Sequence, residues 1–159
     1  MLALRKLFPV QAIFFLISLC VLPAYAQAHS DFSGLWKQDN AHSIPARSGD
    51  TTLRIEHHDP ELTVETTTLR TLLPKQHALQ HYTTDGKESV TTGADGDSFH
   101  TQIAWRDQAL VFTIVEHEDG RIIDTTEIWS LADNGNTLKR IRQSSKSKGE
   151  QTILYTHVH

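Results

Sequence analysis

From Thr51 to the C terminus, the sequence is a ladder of short segments in which apolar and polar residues alternate. This ladder leaves few architectures open. Thr51-Thr52-Leu53-Arg54-Ile55-Glu56-His57, Leu62 to Thr68 and Phe99 to Trp105 repeat with period two, the spacing of a strand with one buried face. β-Branched residues are frequent in them and suit a pleated, half-buried surface. Turn formers stand between the segments: Asp59-Pro60, Asp85-Gly86, Gly93-Ala94-Asp95-Gly96, Asp107-Gln108, Asp119-Gly120 and Asn134-Gly135. Gly accepts the positive φ of hairpin turns, and Pro cannot continue a ladder. The pattern predicts about nine or ten strands, with Asp85-Gly86 as one hairpin turn. Residues 38–50 are polar and read as a loop or crossing segment, and Pro74 breaks residues 69–75. No long helical period follows residue 26. Sequential hairpins form an antiparallel meander, which hides its edges best by closing. The expected fold class is all-β, a single antiparallel up-and-down β-barrel of about 8–10 strands. A sandwich needs longer crossovers, which only residues 38–50 and 69–75 could supply.

The first 26 residues read as an export signal. Arg5 and Lys6 precede an apolar run from Leu7 to Leu22, and Ala24-Tyr25-Ala26 places small residues where a signal peptidase cuts. The run is short for a membrane anchor and is bracketed by Pro9 and Pro23. Cleavage after Ala26 would leave residues 27–159 as one barrel domain. It would be periplasmic or extracellular, with no transmembrane segment. Cys20, the only cysteine, falls within the signal, and Leu19 before it disfavours lipid attachment. A domain without disulfides depends on its packed core, and the remaining length is enough to build one. The net charge is −4 with histidines neutral. An acidic balance of this kind argues against nucleic acid and anionic membrane surfaces as partners.

Before the ladder stands Phe32-Ser33-Gly34-Leu35-Trp36-Lys37. Its position just after an export signal, the Asp-Gly hairpins, and Glu127-Ile128-Trp129-Ser130-Leu131 followed by Asn134-Gly135-Asn136-Thr137-Leu138 carry a resemblance. The chain resembles a bacterial exported lipocalin-like protein of the calycin superfamily. The resemblance implies that Gly34 and Trp36 close one barrel end, with a late-strand arginine over the tryptophan; Arg140 and Arg142 are the two candidates. The chain departs from that family's pattern in two ways. The Thr-Asp-Tyr turn motif is absent, because Thr84-Asp85 is followed by Gly86, and no helix is visible beside the barrel.

The aromatics give the leading functional expectation. Phe99, Ile103 and Trp105 share one strand face by spacing, and Phe112 and Trp129 stand on neighbouring strands. These five are the candidate lining of an interior expected to hold a small apolar molecule, although a barrel of this size can also fill its interior with side chains. The alternative is a divalent-metal module for zinc or copper. All ten histidines lie beyond residue 26, and His57, His157 and His159 are its candidate ligands. His157 and His159, two apart on a strand, stand about 7 Å apart on one face, whereas His77 and His81 stand about 13 Å apart. A third reading is a structural or interaction domain with a filled core. No cysteine nucleophile remains after cleavage and no Gly-x-Ser-x-Gly occurs, so no catalytic residue is expected. No Gly-rich loop opens a helix, so no phosphate-bearing cofactor is indicated.

Overall fold

In the computed structural model, which describes residues 29–93 and 96–159, ten strands follow in order: β1 (Gly34–Ile44), β2 (Asp50–His58), β3 (Glu61–Leu69), β4 (Gln76–Thr83), β5 (Asp85–Thr92), β6 (Ser98–Arg106), β7 (Ala109–Glu118), β8 (Arg121–Ala132), β9 (Thr137–Ser144) and β10 (Gln151–Val158). The predicted export signal, its cleavage after Ala26, and Ala94-Asp95 of one predicted turn lie outside the described residues. Among the described residues, no helix is long and apolar enough to cross a membrane.

The sheet order is β4-β3-β2-β1-β10-β9-β8-β7-β6-β5. The first and last strands pair antiparallel, with Trp36 opposite His157 and Gln38 opposite Tyr155. That pairing curls the meander into a nearly closed up-and-down barrel, as the strand ladder predicts. The turn residues act as expected. Asp119 and Gly120 have φ of 48° and 76°, the primed geometry whose twist matches the flanking strands.

Two local expectations are corrected. Residues 38–50 are not all loop, because β1 continues to Ile44 and only 45–49 connect it to β2. The polar sequence there encodes an irregular stretch. The register with β10 shifts between Asp39 and Ile44. Ser43 Oγ donates to the Asp39 carbonyl at 2.6 Å and accepts from Leu154 N–H at 3.1 Å. Side-chain groups thus substitute for ladder partners, which makes strand residues look like loop residues.

Asp85-Gly86 is not a hairpin turn either. β4 pairs only with β3, and β5 only with β6, so they are the two edges of the sheet. Asp85 pairs with Ala104, and the β5 register shifts between Asp85 and Glu88. Gly86 therefore serves a bulge in an edge strand. Buried Thr84 pins one end of this open seam: its N–H reaches the Pro60 carbonyl at 2.9 Å and its hydroxyl donates to Asp59. Further along, Tyr82 of β4 meets Phe112 edge-on at 6.2 Å.

Period-two alternation sends Leu53 and Ile55 of β2, Leu62 and Val64 of β3, Ile103 of β6, Leu110 and Phe112 of β7 and Leu138 of β9 into one core with Phe32 and Trp36. Each such side chain stabilises the fold by roughly 1.5–3 kcal/mol on burial. With no cysteine beyond residue 20, this core takes the place of disulfides.

Candidate functional site

The core does not fill the barrel. A cavity of about 190 Å³ remains between β3, β4 and β6–β9. Phe99, Phe112, Ile114 and Trp129 give it apolar walls, and Tyr82, Gln80, Thr101 and Thr125 add neutral polar groups. Phe112 and Trp129 pack at 4.6 Å between ring centroids. Two carboxylates, Glu116 and Glu127, and two guanidiniums, Arg140 and Arg142, complete the lining.

Glu127 is only 2 % exposed. It lies opposite Arg142 on β9 and two residues from Trp129 on its own strand. Its Oε1 accepts from Trp129 Nε1 and from Arg140 Nε at 2.6 Å, and stands 2.5 Å from Arg140 Nη2. Arg140 Nη1 donates to the Tyr155 hydroxyl at 3.2 Å. The guanidinium carbon also sits 4.7 Å from the Trp129 ring centroid and 5.5 Å from that of Tyr155. Burial by itself raises the Glu127 pKa, but the Arg140 charge and the hydrogen bonds outweigh it and hold the carboxyl below its usual range. Burial likewise lowers the Arg140 pKa, and the Glu127 carboxylate more than reverses that. Tyr82 is pushed up to about 12, chiefly by desolvation, and stays a neutral hydroxyl.

The opposite end is closed. Trp36, 1 % exposed, donates from Nε1 to the Phe32 carbonyl at 3.0 Å and meets His157 edge-on at 4.8 Å. His57 is also buried. Its Nδ1 accepts from Phe32 N–H at 3.4 Å, and its Nε2 has no hydrogen-bond partner, with Asp59 Oδ1 at 4.0 Å. Trp105 donates to Asp59 at 2.9 Å and stacks on His29 at 4.1 Å.

The five aromatic and aliphatic candidates therefore separate. Phe99, Phe112 and Trp129 line the cavity, whereas Ile103 belongs to the core and Trp105 to the closed end. Phe99 and Trp105 share a face, but six residues of strand span about 20 Å. Period two reports the face and is silent on depth. The arginine placement is corrected as well. Arg140 lies over Trp129 and Tyr155, and Arg142 Nη1 lies 4.0 Å from Glu127. Register explains it: Arg140 is opposite Trp129 and Ile153, while the strand neighbours of Trp36 are His157 and Leu53. Gly34 lies against His157, as close approach to the closed end requires.

Of the metal candidates, the His157 and His159 rings stand 4.7 Å apart, and His57 belongs to the Phe32 and Asp59 cluster. Among the described residues, the one group of three ligand-type side chains with converging atoms is Asp97, Glu116 and Glu118, which contains no histidine. Glu127, Tyr82 and Tyr155 went unrecognised as site residues in the sequence. The available signal was a carboxylate on the same period-two face as Ile123, Thr125 and Trp129, an expensive place for an unpaired charge.

No family model matches the sequence, and no curated protein matches it in sequence. Solved structures do match in shape. Secretory abundant heat soluble protein 4 from Ramazzottius varieornatus superposes with a TM-score of 0.66 at 13% identity, covering 84% of this chain and 100% of that one. The REP1-NXSQ fatty acid transporter gives 0.60 at 16% identity, covering 81% and 97%. Fatty-acid-binding protein 1 of Echinococcus granulosus gives 0.57 at 12% identity, covering 80% and 98%. The chain has the up-and-down β-barrel fold that these proteins share.

Proposed function

We propose that this protein is a non-catalytic binding protein that holds one small, mainly apolar molecule inside its barrel, and that it works in the periplasm or outside the cell after losing residues 1–26. The observation that carries the binding reading is the cavity of about 190 Å³ walled by Phe99, Phe112 and Trp129. Two of the structures that share the fold are described as a fatty acid transporter and a fatty-acid-binding protein, which supports the same reading. The buried ionisable groups of the cavity are engaged with each other: Glu127 is tied to Arg140 and Trp129, and Tyr82 is held neutral. This supports a binding role over acid–base chemistry. Export rests on the basic and apolar pattern before Ala24-Tyr25-Ala26.

Indole fluorescence tests the binding reading. The chain has three tryptophans, and of these Trp129 lines the cavity. A one-ring apolar compound entering the cavity will change the emission of the wild type and of the Trp36→Phe and Trp105→Phe variants. The response will be lost in Trp129→Phe. A response that persists without Trp129, or no response to any compound small enough to enter, rejects the reading. Export is tested by sequencing the N terminus of protein recovered outside the cytoplasm, expected to begin at Gln27.

A further inference from the structure

The cavity contains arginine, yet it is not built for an anion. Arg140 directs Nε and Nη2 to Glu127 and Nη1 to Tyr155, and its flat faces lie against Trp129 and Tyr155. Its charge is balanced by Glu127, and all three of its nitrogens already face a partner. Arg142, the second guanidinium, is about 40 % exposed and lies 4.0 Å from the other oxygen of the same carboxylate. Glu116 also faces the cavity. The two carboxylates of the lining thus balance its two guanidiniums. Next to Glu116, Glu118 and Asp97 bring their oxygens within 4.8 Å of its own, and Arg121 donates to Glu118 at 2.9 Å. Lys146 engages Glu118 there, at 2.8 Å.

From this geometry we infer that the cavity selects compact uncharged molecules over carboxylates, and that Glu127 is the residue that sets this preference by neutralising Arg140. The inference rests on the binding reading above and names the chemical class of its ligand. A carboxylate entering the cavity would lose its hydration and meet Glu127, with Arg140 already paired and Arg142 about 40 % exposed to screening solvent, which is costly in a low-dielectric interior. A neutral hydroxyl, amide or carbonyl meets no such opposition. It finds the Tyr82 hydroxyl, the Gln80 carboxamide and the Thr101 and Thr125 hydroxyls along the walls. Size narrows the class further. The cavity measures about 190 Å³, whereas pockets for drug-sized ligands measure roughly 300–1,000 Å³ and an apolar cavity of about 150 Å³ takes a benzene ring. The space suits one ring with a short polar substituent.

The experiment uses matched pairs of one-ring compounds that differ in charge: benzyl alcohol against benzoate, and phenylacetamide against phenylacetate. Affinities are measured by titration at neutral pH and at two ionic strengths, following the Trp129 indole N–H resonance. The expected result is that each neutral member binds at least tenfold tighter than its acid, with little change on adding salt. In Glu127→Gln, Arg140 loses its counter-charge and the order reverses, with acid binding now weakened by salt. Acids binding as tightly as their neutral partners to the wild type would overturn the inference while leaving the binding reading intact. Failure of all four compounds to shift the Trp129 resonance would overturn both. If Glu127→Gln does not fold, the Glu127→Met/Arg140→Leu double variant removes both charges at once. It should keep the neutral preference, and a switch to acids in it would also overturn the inference.

Discussion

Gly34 lies directly against the imidazole of His157. A Cβ built at Gly34 would stand 2.3 Å from His157 Nε2 and 2.8 Å from Cδ2, and the backbone there has φ of +139°. β1 and β10 are the strands whose pairing closes the barrel, so the small residue is needed where the first and last strands meet. Gly34→Ala should destabilise the fold by about 1–3 kcal/mol through overpacking and backbone strain. Urea unfolding would measure it. Adding His157→Ala should recover the overpacking part and leave the φ penalty; a strictly additive double variant would show that the two residues do not oppose each other.

That contact also shows which parts of the molecule were legible in the sequence. Period-two alternation and Asp-Gly turns are local signals, and they placed nearly all of the strands and the closed meander. Gly34 and Trp36 could be located at a barrel end because the resemblance supplied a role for them. The partner of Trp36 depended on strand register, a long-range property, and His157 occupies the place expected of Arg140 or Arg142. The sheet edge between β4 and β5 was hidden for a related reason. Asp85-Gly86 has the chemistry of a hairpin turn, and nothing local in it reports that β4 and β5 do not pair. The cavity residues were half legible, because Phe99, Phe112 and Trp129 had the right face, while Ile103 and Trp105 had that face at another depth.

His57 makes the closed end sensitive to mild acid. Desolvation lowers its pKa, against the opposing pull of Asp31 and Asp59, with His58 and His29 also facing it unfavourably. Phe32 N–H donates to Nδ1, and a proton on Nδ1 would remove that acceptor. With the folded pKa below the unfolded value of about 6.5, the unfolded state binds more protons in this range. The contribution is therefore fully present above about pH 6.5 and is lost as pH falls toward the folded pKa. Melting temperature should drop between about pH 7.5 and 5.5 in the wild type more steeply than in His57→Gln, which cannot titrate there. Parallel slopes would exclude His57 as the source.

Asp59 ties three parts of the closed end together. It accepts from Thr84 at the seam, from Trp105 Nε1 at 2.9 Å, and lies 3.1 Å from His29 Nδ1. Burial raises its pKa, but these hydrogen bonds take it down to about 2. The depressed value means that its contribution is present above the unfolded value of about 3.9 and disappears as pH falls toward the folded one. Its side chain is 41 % exposed, so screening keeps the effect of Asp59→Asn near the low end, about 1 kcal/mol. Denaturant midpoints should separate the variant from the wild type at about pH 6 and bring them together at about pH 2. A gap that persists in strong acid would point to lost packing instead of lost charge.

The Glu127–Arg140 pair should behave as a unit. Glu127→Ala leaves a buried guanidinium without its carboxylate, a change that costs about 3–5 kcal/mol in comparable buried pairs. Arg140→Met strands the carboxylate and should cost a similar amount near neutral pH. Its penalty should shrink as the pH is lowered through the carboxylate range, because an unpaired Glu127 can take up a proton and become neutral. Replacing both, as Glu127→Met/Arg140→Met, removes the desolvation cost together with the attraction and should lie within about 1–2 kcal/mol of the wild type. A double-mutant cycle by urea unfolding would measure the coupling directly, and the expected interaction energy is at least about 2 kcal/mol. A coupling near zero would mean that Trp129, Tyr155 and Arg142 hold each charge independently, and that the two residues do not form a neutral unit in the cavity lining.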